Sequence, residues 1–208
     1  MIDEKIDGIL KKLEKQEVFE RDNPSKVQQS EKMLAITRNI GLFYNVLLHG
    51  VKAKKILEIG TSTGYSTLWF AEAIIANNEG KIITIDQDEK KIVRAKKNFE
   101  EAGVSNLIEI RKGDALEVLS QIREEFDYKE TFDFIFIDAD KERYIQYFDM
   151  VFPLLKTGGF IGADNILWPE KFAGLIKPYV EHVKNNPKVR SVTVPIDNGE
   201  ELSIKINH

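Results

Sequence analysis

Cysteine is missing altogether from the 208 residues. That single absence removes disulfides, thiolate-bound zinc and cysteine nucleophiles from consideration. Long hydrophobic runs are missing too, because no uninterrupted apolar stretch approaches the length needed to cross a bilayer. The N-terminus, from Met1 to Glu20, mixes acidic side chains among its apolar ones and has neither a signal-peptide core nor a small-residue cleavage site. A cytoplasmic protein with no membrane partner is the expectation. Charge of one sign is not in excess: 30 basic against 34 acidic residues leave a formal net charge of −4, so no global positive field exists to hold a polyanion. Hydrophobic residues do make up 42% of the chain, enough to bury one sizeable core, and one domain over residues 1–208 is expected.

Short apolar runs alternate with amphipathic stretches, the pattern of an α/β protein whose parallel strands are covered by helices on both faces. The five clearest strands are Lys55–Ile59, Lys81–Asp86, Leu107–Arg111, Phe132–Asp138 and Gly159–Ala163. Crossover helices are expected over about Gly64–Asn77, Glu89–Ala102, Ala115–Glu125 and Lys141–Leu155. After a helix over about Pro169–Asn185, two strands, Val189–Val194 and Leu202–Ile206, flank Asp197-Asn-Gly-Glu200, whose Asn-Gly signals a tight hairpin. An otherwise parallel sheet would thus end antiparallel. Upstream of residue 50, a first helix, a polar break at Arg21–Pro24 and a second helix over about Ser25–His49 would form an N-terminal helical cover on a core of residues 50–208.

Ligands of open parallel sheets sit beyond the C-terminal strand ends, where strand order reverses. The first strand runs into Glu58-Ile-Gly60-Thr61-Ser-Thr-Gly64-Tyr-Ser66, a turn whose glycines permit close backbone approach to a ligand. The second ends in Asp86, a carboxylate able to accept from both hydroxyls of a ribose or to cap the following helix. Lys112-Gly-Asp-Ala115 adds a loop at the same edge, where a backbone amide could meet an adenine. The glycines are spaced Gly-x-x-x-Gly and lack the Gly-x-Gly-x-x-Gly pattern that seats a dinucleotide pyrophosphate, which disfavours a nicotinamide oxidoreductase. A sulfonium cofactor carries no phosphate and gains from an acid such as Glu58 near its charged amino-acid end.

The fourth strand ends in Asp138-Ala-Asp140-Lys141 and the fifth in Asp164-Asn165. If the two are neighbours, Asp138, Asp164 and Asn165 meet, and this hard oxygen set suits Mg²⁺, Ca²⁺ or Mn²⁺ better than zinc. Such an ion would hold two adjacent hydroxyls and lower the pKa of one of them. Lys141, three residues on, is a candidate general base whose ammonium form a dication and a helix N-terminus both disfavour; the alternative is a surface lysine paired with Asp138 or Asp140. Asp140 could face the cofactor or cap the helix. Tyr144, Tyr147 and Phe148 recur at helical spacing and are expected in the core or at a dimer contact. His49, His182 and His208 show no ligand spacing.

In combination, Leu-Glu-Ile-Gly-Thr-Ser-Thr-Gly-Tyr-Ser, Phe-Ile-Asp-Ala-Asp-Lys, Gly-Ala-Asp-Asn-Ile-Leu-Trp and the closing Asp-Asn-Gly-Glu-Glu-Leu-Ser-Ile resemble the cation-dependent catechol and caffeoyl-CoA O-methyltransferases, from about Ile36 to the C-terminus. The resemblance implies a seven-stranded Rossmann-like class I methyltransferase fold, a homodimer, and S-adenosylmethionine bound by Glu58, Gly60, Thr61, Ser66, Asp86, Ala115 and Asp140. It likewise implies Asp138, Asp164 and Asn165 as ligands of a divalent cation and Lys141 as the catalytic lysine. Trp168 falls where plant-type members keep an aromatic at the acceptor pocket. Thr37-Arg-Asn-Ile-Gly41 departs from the family, which often carries an acid shortly before that glycine. The expected acceptor is a hydroxylated aromatic small molecule. The alternative within the family, a tRNA hydroxyuridine, would call for a basic patch from Lys11, Lys12, Lys15, Arg21 and Lys26.

Overall fold

The computed structural model describes residues 2–28, 31–125, 129–168 and 173–207. Two helices lead in, α1 (Glu4–Asp22) and α2 (Arg38–Gly50). They are followed by β1 (Lys55–Ile59), α3 (Tyr65–Ala76), β2 (Lys81–Asp86), α4 (Glu89–Glu101), β3 (Ile108–Lys112) and α5 (Ala115–Glu125). The second half supplies β4 (Phe132–Ile137), α6 (Tyr144–Val151), β5 (Leu155–Ala163), α7 (Ala173–Lys184), β6 (Val189–Val194) and β7 (Glu200–Lys205). The seven strands form one sheet in the order β3-β2-β1-β4-β5-β7-β6. All pairs are parallel except β5 with β7 and β7 with β6. The expected Rossmann-like sheet with an antiparallel hairpin is therefore present, and strand order reverses between β1 and β4.

Alternation along each strand feeds two separate cores. Ile56, Ile82, Phe134 and Phe136 point to one face, where α1, α2, α3 and α4 pack through Leu10, Tyr44, Phe70 and Phe99. Leu57, Ile59, Ile85, Ile135 and Ile161 point to the other, covered by α5, α6 and α7 through Leu119, Phe148 and Tyr179. Because both faces are buried at the centre of the sheet, β1, β2 and β4 read as mostly apolar runs.

Three elements depart from the sequence reading. The helix expected over Ser25–His49 begins only at Arg38, capped by Thr37. Residues 31–37 instead form an irregular strap, because their backbone groups bond elsewhere: Met33 N–H to Glu20 Oε2 at 2.8 Å, Met33 C=O to the Ser62 hydroxyl, and Glu31 C=O to Arg94 at 2.6 Å. Leu34, at φ +43°, completes the break. The helix expected over Lys141–Leu155 is α6 flanked by two 3₁₀ turns, Lys141–Arg143 and Phe152–Leu154, the second holding Pro153, which cannot continue a helix. β5 starts four residues earlier than expected, at Leu155, across a register shift opposite Phe132 and Phe134. The first four residues of the helix placed at Pro169–Asn185 lie outside the described residues, as does His208.

Phe70 sits fully buried with its ring 5.5 Å from Phe134 and 5.4 Å from Phe136. Phe70→Ala should lower the unfolding free energy by about 3–5 kcal/mol in urea titrations, since the sheet beneath cannot collapse into the space. A loss under about 1 kcal/mol would show that α3 repacks freely.

Candidate functional site

A cleft of about 630 Å³ opens over the C-terminal ends of β1, β2, β4 and β5. Its position follows from register. Ile59 pairs with Ile137, and Ile137 with Ala163, so the residues that continue these strands, Gly60, Asp138 and Asp164, emerge side by side. Backbone bonds carry the alignment one residue further, Asp138 N–H to Ile59 C=O at 2.9 Å and Asp164 N–H to Ile137 C=O at 3.2 Å. Gly60 takes φ +107° with its α-carbon against the Asp138 carbonyl, where a side chain would collide.

The expected cofactor residues divide into wall and foundation. Gly60, Thr61, Ser66, Asp86, Ala115 and Asp140 all line the cleft. Asp86 holds the β1–α3 turn by accepting from Ser62 N–H at 2.7 Å and also accepts from Asp88 N–H at 2.9 Å; the cap of α4 is Asp88, so Asp86 is left at the rim. Asp140 does cap the next turn, accepting from Glu142 N–H at 3.1 Å. Glu58 is different: it is fully buried beneath the wall and accepts hydrogen bonds from the hydroxyls of Ser66, Thr67 and Thr84 at 2.5–2.6 Å. Burial outweighs those three donors and pushes its carboxyl up to about 7.

At the other end, Lys141 Nζ donates to Asp138 Oδ1 at 2.8 Å and to the Tyr144 hydroxyl at 2.5 Å. Lys141 is thus paired with Asp138, as the alternative to a base had it, but with only 9% exposed it is buried on the cleft wall rather than at the surface. Asp164 is 2% exposed, and its Oδ1 has no hydrogen-bond partner among the described residues. Burial and the Asp138 charge push its carboxyl up. Asn165 brings its side chain to the cleft from a left-handed backbone, φ +63°, a conformation that asparagine tolerates. No cluster of three or more His, Cys, Asp or Glu side chains arranged for a metal ion occurs among the described residues. The oxygen set is therefore two carboxylates and one amide, and the orphaned Asp164 oxygen and the cation already seated on Asp138 make it a fitting seat for a positive charge.

Several participants were not legible beforehand. Glu200 is fully buried beside Asp164, with Oε2 accepting from the Tyr44 hydroxyl at 2.5 Å and its carboxyl raised well above the usual range by burial and the Asp164 charge. Leu34, Ala35 and Ile36 of the strap line the cleft, as does Arg143, which holds Asp114 at 2.6 Å. Tyr147 lines it too, although Tyr144, Tyr147 and Phe148 are all buried as expected. Trp168 stands 56% exposed and is not part of the cleft wall. His49 pairs with Glu72 and His182 with Asp149, away from the cleft.

Glu58 gives a signed prediction. Its folded pKa lies above its unfolded value near 4.5, so the native state keeps a proton that the unfolded chain releases, and the associated stability is lost as pH rises from about 4.5 through 7. Glu58→Gln lacks this ionisation. In urea titrations at pH 5 and pH 8 the stability difference should shift in the variant's favour by up to about 3 kcal/mol at the higher pH. An identical difference at both pH values would contradict it.

Comparison with known proteins gives the family of the chain. The sequence pattern of the O-methyltransferase family matches residues 11–206. A caffeoyl-CoA O-methyltransferase from Petroselinum crispum is 34% identical over 190 residues, covering 84% of this chain and 78% of the relative. A catechol O-methyltransferase from Niastella koreensis is 41% identical over 134 residues, covering 64% of this chain and 59% of the relative. Among solved structures, the O-methyltransferase from Bacillus cereus in complex with SAH superposes with a TM-score of 0.79 at 27% identity, covering 95% of this chain and 90% of that one. The chain belongs to the O-methyltransferase family, among relatives of the caffeoyl-CoA and catechol type.

Proposed function

We propose that this O-methyltransferase takes its methyl group from S-adenosylmethionine, uses a divalent cation, and methylates one hydroxyl of a catechol-like or hydroxycinnamoyl small molecule. The observation that carries the reading is the convergence of Asp138, Asp164 and Lys141 on one side of the same cleft whose other side is built by Asp86 and Ala115. A nucleoside cofactor fits the second group, with Asp86 facing ribose hydroxyls and the Ala115 loop facing the base. When bound, the sulfonium cofactor supplies an electrophilic methyl group. Asp138, Asp164 and Asn165 would hold the cation, which supplies charge stabilisation for an ionising hydroxyl.

The chain's own groups do the rest. Lys141 Nζ, held on Asp138, is placed to take the proton of the acceptor hydroxyl. The strap at Leu34–Ile36 and Tyr147 add apolar wall to the cleft, which favours positioning over bulk solvation. A small acceptor is favoured over a polyanion because Lys11 pairs with Asp7, Lys12 with Glu101 and Arg21 with Glu17. No helix among the described residues is long and apolar enough to cross a membrane. The N-terminal helices and the sheet act together as one catalytic domain in this proposal. It includes a homodimer, for which the exposed Leu42, Val46 and Val51 on and just after α2 offer apolar surface.

Asp164→Ala should reduce methyl transfer by about 10²-fold or more, while calorimetry finds S-adenosylmethionine affinity within about threefold of the parent. Loss of cofactor binding in that variant would place the cofactor at the end of the cleft assigned to the cation.

A further inference from the structure

We propose that Tyr144 is a positioning residue for Lys141: its hydroxyl fixes the direction in which the lysine nitrogen faces the cleft. The inference rests on the reading of Lys141 as the base, and it follows from counting donors. A phenol has one hydrogen. The Tyr144 hydroxyl lies 3.2 Å from the Ile137 carbonyl and 3.2 Å from the Asp164 carbonyl, and neither carbonyl can donate, so the phenolic hydrogen is committed to them. Its oxygen is thereby left as an acceptor only, and the Lys141 amine donates to it at 2.5 Å.

A second N–H of Lys141 goes to Asp138 Oδ1 at 2.8 Å. Two of the three substituent positions on the nitrogen are then fixed by protein acceptors. The third has no partner among the described residues, and Lys141 forms part of the cleft wall. These two bonds fix the orientation of the nitrogen and leave its third position for the acceptor hydroxyl.

The tyrosine ring is itself immobile. It is fully buried, 5.3 Å from the Tyr179 ring at a steep angle, and the Lys141 ammonium lies 4.8 Å from its centroid. Its hydroxyl is tied to the backbone at the ends of β4 and β5, so the nitrogen is referenced to the same carbonyl layer that places Asp138 and Asp164. Without the hydroxyl, the N–H groups of Lys141 can turn to the two freed carbonyls and the nitrogen loses its fixed direction.

The test uses Tyr144→Phe, which keeps the ring, alone and combined with Lys141→Met. We expect Tyr144→Phe to lower kcat by about 10- to 100-fold with KM for both substrates, and calorimetric S-adenosylmethionine affinity, unchanged within about twofold. Added to Lys141→Met, it should cause no further loss, because it acts through the lysine. The same fractional loss in both backgrounds would show an independent structural role and overturn the proposal. A second readout needs no acceptor: an ammonium held in two hydrogen bonds exchanges slowly enough to give a resolved ¹⁵Nζ signal, identified by its disappearance in Lys141→Met. That signal should be present in the parent protein and lost in Tyr144→Phe. Its absence from the parent, or its persistence in Tyr144→Phe, overturns the proposal. If the signals behave as expected but the parent methylates no hydroxyl, Tyr144 still positions the amine and it is the assigned reaction that falls.

Discussion

Parallel pairing of β1, β4 and β5 brings three strands to an end at one level, and the chemistry hangs on that level. Ile59, Ile137 and Ala163 are aligned across the sheet, so the next residue of each strand emerges at the same height. From β1 this residue is Gly60, whose lack of a side chain allows the turn to pass against the Asp138 carbonyl. From β4 and β5 it is a carboxylate. A slip of one residue in either pairing would turn Asp138 or Asp164 to the opposite face and dissolve the site.

The electrostatic consequence is a row of acids taken out of water along one sheet edge. Glu58, Asp164 and Glu200 are all buried, and burial raises the carboxyl pKa of each. Their compensation differs. Glu58 is met by three hydroxyls and stiffens the foundation of the cofactor wall. Glu200 is met by Tyr44 on one oxygen, while its other oxygen and Asp164 Oδ1 both stand without a donor among the described residues. An unpaired buried acceptor costs free energy, and a protein that retains one at a cleft has a use for the negative charge. Holding a divalent cation is the use we assign to it.

The sheet was legible because its central strands β1, β2 and β4 are short, mostly apolar and bounded by turn residues, and because Asn198-Gly199 marks the hairpin. The carboxylates of the cleft were legible for a related reason: Asp138 and Asp164 each stand immediately after an apolar run, where a carboxylate has no role in packing. What stayed hidden depends on partners far away in sequence. The strap at 31–37 looks helical locally, and only Glu20, Ser62 and Arg94 divert its backbone. Glu200 follows a polar turn and reads as solvent-facing until β7 pairs with β5 and carries it inside. The helical spacing of Tyr144 predicts a place in the core or at a dimer contact, and its ring is buried, but a tyrosine has two ends, and periodicity reports only on the ring. Glu58 was expected beside the ligand; the structure sets it one layer behind, where it reaches the cleft through Ser66.

The most direct test of cation-assisted methyl transfer at this sheet edge is labelling from S-adenosylmethionine to a panel of catechols and hydroxycinnamoyl thioesters, run with Mg²⁺ and again with excess EDTA. At least one acceptor hydroxyl should be labelled with Mg²⁺, and the rate should fall by about 10²-fold or more with EDTA. Labelling that proceeds equally well in EDTA would contradict the proposed chemistry.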